Sequence, residues 1–139
     1  MTTRVLTTCP YCGTGCTMYL RVSDGQVTGV LPDPRGVGQG KLCIKGWSAH
    51  QFVHHPERLT RPLIRVPGTP RSQATFREAS WDEALDLVAS RLTGIRQAYG
   101  PDALGFFCSA KCTNEENYLL QKLARAVVGT HNVDHCARL

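Results

Sequence analysis

The densest chemistry in the 139-residue chain lies in Cys9-Pro10-Tyr11-Cys12-Gly13-Thr14-Gly15-Cys16, joined by Cys43 in Gly40-Lys41-Leu42-Cys43-Ile44-Lys45-Gly46. These four cysteines are spaced C-x2-C-x3-C-x26-C. A cubane iron–sulfur cluster takes four thiolates at tetrahedral corners. Three can come from one tight loop and the fourth from a segment folded back over the cluster. Gly13 and Gly15 suit such a loop, because they permit positive φ and let backbone N–H groups approach the sulfurs. Donors placed there stabilise negative charge on a cluster. Two other readings compete. Structural zinc prefers two C-x2-C knuckles, whereas here one knuckle is followed by a third cysteine four positions on. Disulfides need an oxidising compartment, and Met1-Thr2-Thr3-Arg4-Val5 carries neither a hydrophobic signal core nor a twin arginine.

The two motifs, CPYCGTGC and GKLCIKG, together resemble the opening of the molybdopterin oxidoreductases that begin with a 4Fe–4S domain. The far end, SAKCTNEENYLLQKLARAVVGTHNVDHCARL (Ser109 to Leu139), is similar to one branch of them, the molybdenum- or tungsten-dependent formate dehydrogenases. The resemblance runs from Val5 to Leu139 and is weakest between Val53 and Ser80. It implies a 4Fe–4S cluster on Cys9, Cys12, Cys16 and Cys43. It also implies a bis-molybdopterin guanine dinucleotide carrying Mo or W, completed by downstream polypeptide. Formate would be oxidised to CO2 there, and electrons would pass one at a time to the cluster. On spacing alone Lys45 could equally be a surface lysine. In the family the lysine at this position lies between cluster and pterin, which implies an electron-relay and cofactor-binding role for Lys45. The resemblance also puts the loop Ser109–Asn114 near the pterin, with Lys111 and Asn114 as contacts.

In formate dehydrogenases of this kind, the stretch like Asn132–Leu139 is followed at once by the metal-binding cysteine or selenocysteine, and then by histidine. Cys136 is out of register with that ligand by four positions and reads as a structural thiol. Cys108 reads as a small buried hydrophobe and Cys112 as a loop thiol without a metal. The implied partners are the remainder of the catalytic subunit, other iron–sulfur electron-transfer subunits, and formate or CO2. Alone, the chain is expected not to turn over formate. Two alternatives stand beside this reading. One is another molybdopterin oxidoreductase such as a nitrate reductase, against which His135-Cys136-Ala137-Arg138 speaks. The other is a standalone iron–sulfur electron-transfer module, against which the residues after Ser80 speak, since a pure cluster carrier does not need them.

Composition narrows the classes further. At 42% hydrophobic and 19% charged residues, the chain is globular. The net charge of +5 is scattered, with no Lys/Arg stripe interleaved with aromatics, so nucleic-acid binding is not indicated. Positive charge suits anionic thiolates and a phosphorylated pterin better. No apolar run reaches membrane-spanning length. Seven cysteines in such a chain fit metal binding in a reducing compartment, so a cytoplasmic location is expected.

The elements that must position these residues read as an α+β to α/β fragment. A small β-rich 4Fe–4S domain spans 1–58, a connector with short strands spans 59–79, and an incomplete α/β molybdopterin-binding domain spans 80–139. Tyr19 to Leu31 predicts a β-hairpin turning at Ser23-Asp24-Gly25-Gln26. Pro32–Gly40 is a loop that returns the chain to place Cys43. His50, His54 and His55 read as a helix or turn rather than as ligands, because no carboxylate or cysteine stands at ligand spacing. Leu63–Val66 and Ala74–Phe76 predict two short strands. Ser80 and Glu83 predict a capping box. The helix it opens carries Trp81, Leu85, Val88, Leu92, Ile95 and Tyr99 on one core-facing stripe and ends at Gly100-Pro101. Ala103–Cys108 predicts a buried parallel strand. Thr113 or Asn114 caps a further helix, with Tyr118, Leu119, Leu123, Ala126 and Val127 as its buried stripe and Gly129 as its stop.

The expectation at the far end is checked on the coding DNA. A UGA or cysteine codon directly after Leu139, then a histidine codon and a long open frame, is the expected result. A stop codon with no reading frame behind it, or a UGA without selenocysteine-insertion signals, overturns it.

Overall fold

In the computed structural model of the chain, which describes residues 1–136, β1 (Thr2–Thr8), β2 (Thr17–Ser23) and β3 (Gln26–Pro32) form an antiparallel sheet in that order. The predicted hairpin is β2–β3. It closes through Asp24 (φ 49°) and Gly25 (φ 79°), and two successive positive φ values make the tight turn whose twist matches the strands. β1 is the strand the sequence reading lacked. It pairs with β2 over its full length, from Thr2 opposite Ser23 to Thr8 opposite Thr17. The cysteine loop is therefore the connection between two paired strands. The Cys9 N–H donates to the Cys16 carbonyl at 2.8 Å and closes it. Cys9, Met18 and Ala49 are buried together beneath it, with Tyr11, Cys16, Leu20, Val30 and Leu42 packed against them.

The Pro/Gly-rich loop after β3 is folded around one buried carboxylate. Asp33 accepts from the Thr17 hydroxyl at 3.0 Å and from the Arg35 N–H at 3.1 Å. A Cβ at Gly36 would run into Thr17 Oγ1 and Asp33 Oδ2, so only glycine lets the loop lie this close. The loop ends at Cys43, which caps the single-turn helix α1 (Ile44–Trp47).

The described chain divides into two units, one made of Met1–Arg58 together with the chain from Gly105 on, the other of Leu59–Leu104. In the second unit, β4 (Leu63–Arg65) and β5 (Phe76–Glu78) pair antiparallel, with Ile64 opposite Arg77. α2 (Trp81–Tyr99) follows, ending at Gly100, and Ser80 Oγ accepts the Glu83 N–H at 3.1 Å. The expected capping box is only half formed, because the Glu83 carboxylate is held by the Arg77 guanidinium instead of returning to Ser80. A charged partner on the neighbouring strand is the stronger donor. The apolar stripe of α2 is not core: Trp81 is 67% and Tyr99 79% exposed. A stripe is buried only where another layer crosses it, and among the described residues this unit's sheet is two three-residue strands.

In the first unit, β6 (Phe106–Ser109) and β7 (Val133–Cys136) pair parallel, Phe106 opposite Val133 and Ser109 opposite Cys136. The parallel pairing matches expectation, but β6 is half-buried and Phe107 is 81% exposed. Between them runs α3 (Asn114–Lys122), and Thr113 is its cap. Here the box is complete, since Thr113 Oγ1 accepts the Glu116 N–H at 3.3 Å and Glu116 Oε2 accepts the Thr113 N–H at 2.7 Å. The helix widens to a π turn over Leu123–Val128 and stops at Gly129 (φ 88°). The expected stripe of Tyr118, Leu119, Leu123, Ala126 and Val127 is exposed, and Ala124 and Val128 are buried instead. The wider turn rotates the residues from Leu123 on off the 3.6-residue period, whereas Tyr118 and Leu119 precede it and are exposed because no described layer covers them. The chain is thus mixed α/β, with a three-stranded antiparallel sheet, a short hairpin pair and one parallel strand pair.

Gly36→Ala tests the loop. The added methyl forces Asp33 or Thr17 to move, at a cost of about 1–3 kcal/mol. Faster amide exchange over residues 33–43 is expected, and exchange equal to that of the parent would refute the close packing.

Candidate metal centre

Cys9, Cys12 and Cys16 lie in the β1–β2 connection, and the chain returns Cys43 to them. In the described structure all seven cysteines are free thiols, and Cys9 feels the charges of Cys16, Cys43 and Cys12. Its thiol is pushed up first by burial and then by those neighbours, against one N–H bond from Tyr11. Cys12 goes the other way. The Thr14 hydroxyl holds its thiol down, followed by the Thr14 N–H, with the Lys45 charge adding to both. Cys43 is also lowered, by the N–H groups of Gly46 and then Lys45, and by the Lys45 charge. Among the described residues, no three His, Cys, Asp or Glu side chains stand close enough to share one metal ion. A four-iron cubane is wider than an ion and needs its thiolates further apart. Cys9 within charge range of Cys12, Cys16 and Cys43, and the Lys45 charge felt at Cys12 and Cys43, fit such an anionic body.

Of the loop glycines, Gly15 has the expected positive φ of 66° and Gly13 does not. Gly13 is crowded instead, since a Cβ there would lie 2.5 Å from Asn114 Oδ1. The N–H donors to sulfur are those of Tyr11, Thr14, Lys45 and Gly46 rather than Gly13 and Gly15.

Lys45 sits on α1, its ammonium 5.9 Å from the centre of the Tyr11 ring. Tyr11 meets Phe52 edge to face at 6.1 Å, and Arg58 caps Phe52 at 5.4 Å. The Lys45 charge reaches both Cys12 and Cys43. His54 Nε2 accepts the Val27 N–H at 3.0 Å and His55 Nδ1 the Glu57 N–H at 3.2 Å, which makes both structural acceptors.

At the carboxyl ends of β6 and β7, where open α/β sheets gather ligands, lies an open groove of roughly 460 Å³ lined by Cys108, Ser109, Asn117, Tyr118 and His135 among others. Cys108 is half-buried on its wall rather than fully buried. Asn117 Oδ1 accepts the Ser109 N–H at 3.2 Å and its amide donates to the Ser109 carbonyl at 3.0 Å, which fixes the loop. Cys136 Sγ lies 3.6 Å from Ser109 Oγ, and its thiol is lowered by that hydroxyl, the Ala110 N–H and the Lys111 charge. The Lys111 N–H donates to Ser109 Oγ at 3.0 Å. Asn114 points the other way, its amide donating to the Gly13 carbonyl at 2.9 Å. Ala137, Arg138 and Leu139 lie outside the described residues. Sequence reasoning overlooked Thr14, Tyr11 and Asn117. Thr14 was visible as the hydroxyl inside the motif, whereas the other two act through contacts no spacing reveals.

Two family models match the chain: the Fe4S4 domain of molybdopterin oxidoreductases over residues 2–55 and molybdopterin oxidoreductase over residues 58–139. The chain belongs to the molybdopterin oxidoreductases. The alpha subunit of F420-dependent formate dehydrogenase 1 from Methanococcus maripaludis is 54% identical over 134 residues, which is 96% of this chain and 18% of that protein. The corresponding subunit of Methanocaldococcus jannaschii is 47% identical over 97% of the chain and 19% of its own length. A probable oxidoreductase of Bacillus subtilis is also 47% identical, over 95% of the chain and 13% of its own length. The chain thus spans less than a fifth of these relatives. The fold is similar to that of acetylene hydratase from Pelobacter acetylenicus, with a TM-score of 0.66 at 24% identity, covering 94% of this chain and 18% of that one. A 4Fe–4S cluster and a molybdopterin are the cofactors that the two matched domains of this molybdopterin oxidoreductase are named for.

The thiol environments predict an order of reactivity in the iron-free protein. A lowered pKa leaves more thiolate at a given pH, and thiolate is the nucleophile. Cys12 and Cys43 are expected to alkylate at lower pH than Cys9, read by mass spectrometry across a pH series. Cys9 reacting first would contradict the geometry.

Proposed function

We propose that the chain is the N-terminal portion of a formate dehydrogenase catalytic subunit. The observation that carries this reading is the 54% identity to a formate dehydrogenase alpha subunit across 96% of the chain. We further propose Cys9, Cys12, Cys16 and Cys43 as the cluster ligands, on a cluster domain of 1–58, with the connector 59–79 and the α/β part 80–139 leading toward the pterin. When bound, a 4Fe–4S cluster accepts and passes on single electrons, and a bis-molybdopterin guanine dinucleotide with Mo or W takes two from formate. The chain's own residues hold and insulate. The N–H donors to Cys12 and Cys43 favour the reduced, more negative state of whatever the thiols bind. Lys45 places one positive charge beside two thiolates, which suits a relay position between two anionic cofactors. Lys111, on the loop after β6, and Asn114, at the start of α3 with its amide turned to the cysteine loop, are proposed as pterin contacts. The metal's cysteine or selenocysteine ligand, the electron-transfer subunits and the remaining pterin pocket belong to polypeptide outside this chain. A cytoplasmic location is part of the proposal. Among the described residues no helix is long and apolar enough to cross a membrane.

The test is anaerobic purification of the native protein that contains this chain, with dye reduction assayed on formate and nitrate reduction assayed alongside. Formate-dependent reduction, with iron and acid-labile sulfide present, is expected. Nitrate reduction without formate oxidation would establish the nitrate reductase alternative, and a native mass equal to 139 residues with cluster but no turnover would establish an electron-transfer module. In an active preparation, Lys45→Met is expected to slow formate-dependent dye reduction about tenfold, equivalent to ~1.4 kcal/mol on the limiting step. Cluster content should stay unchanged and Lys45→Arg should restore part of the rate. Full activity in Lys45→Met would remove the relay role.

A further inference from the structure

Asn114 starts α3, yet its side chain serves the cysteine loop 101 residues earlier. Its amide nitrogen donates to the Gly13 carbonyl at 2.9 Å, and its carbonyl oxygen fills the space a Gly13 side chain would need, 2.5 Å from an ideal Cβ. The Gly13 carbonyl and the Thr14 N–H belong to one peptide group. Thr14 lies against the sulfur, with its hydroxyl oxygen 3.4 Å from Cys12 Sγ, which places its N–H on the same side of the loop as that thiol. One peptide group therefore joins the Asn114 amide, bonded at the Gly13 carbonyl, to Thr14 beside the Cys12 sulfur.

A peptide whose oxygen accepts a hydrogen bond is polarised, and its N–H becomes a better donor; condensed-phase estimates are about 10–30% per bond. Hydrogen bonds to ligand sulfurs are among the factors that set a cluster's potential. We infer that Asn114 is a positioning residue for the iron–sulfur centre, which acts through the Gly13–Thr14 peptide to strengthen the donor to Cys12 and so raise the reduction potential of the cluster. The inference rests on the cluster assignment made above. Among the described residues, Asn114 is the side chain that bonds the Gly13 carbonyl.

The experiment is an EPR-monitored redox titration of the complete enzyme with Asn114→Ala, Asn114→Asp, Asn114→Gln and Gly13→Ala. Asn114→Ala and the near-isosteric Asn114→Asp are expected to shift the cluster midpoint to more negative potential, and Asn114→Gln to recover part of the shift. Gly13→Ala should displace the amide and shift the potential in the same direction. The double variant Gly13→Ala/Asn114→Ala should shift no further than Asn114→Ala alone, because both remove one link. Unchanged midpoints in the single variants at parental iron content, or additive shifts in the double variant, overturn the inference. If Asn114→Ala loses the cluster outright, the midpoint of Asn114→Gln or Gly13→Ala decides. Absence of iron and labile sulfide from the parent enzyme is a different failure, since it withdraws the cluster assignment itself.

Discussion

The pairing of β1 with β2 is the constraint on which the rest of the site depends. Seven residues on each strand are in register, and the last rung passes into the Cys9–Cys16 hydrogen bond. Three thiols are thereby fixed at the end of a sheet rather than on a free loop. The fourth needs a second device, the Asp33-centred turn, to bring Cys43 back. A small segment buries little apolar surface, with Cys9, Met18 and Ala49 forming its buried apolar cluster. Backbone pairing and polar turns therefore carry an unusual share of the order, and bound metal would add to it.

The four thiols are not equivalent. Cys9 is buried and raised, whereas Cys12 and Cys43 are lowered by donors and by Lys45. The site is thus polarised from an apolar inner edge to a more hydrated outer edge that carries the cation. The cation itself is held by Tyr11, a residue inside the C-x2-C motif. One short motif therefore supplies two of the thiols and the aromatic ring against which Lys45 lies.

Local chemistry was legible in the sequence where one segment decides it. The Asp24-Gly25 turn, the Ser80 and Thr113 caps and the parallel pairing of β6 formed as their residues imply. The failures came where a second segment decides. The stripes of α2 and α3 follow the period of buried helices, yet periodicity states which face is apolar and not whether anything lies across it. Glu83 had the spacing for a box, and Arg77 on the adjacent strand took it. β1 reads Thr-Thr-Arg-Val-Leu-Thr-Thr, with too little alternation to announce a strand until its partner is known. In the site, the cysteine spacing was visible from the start. The Asn114–Gly13 bond was not, because nothing in either segment encodes a contact at that separation.

That separation has a consequence for the order of events in the cell. A ribosome adding about 5–20 residues per second releases the N-terminal cysteine loop roughly 5–20 s before it reaches Asn114, given the 101 residues between Gly13 and Asn114. A nascent chain therefore carries its cysteine loop in an unlatched form at first, and the helix that fastens the loop arrives afterwards.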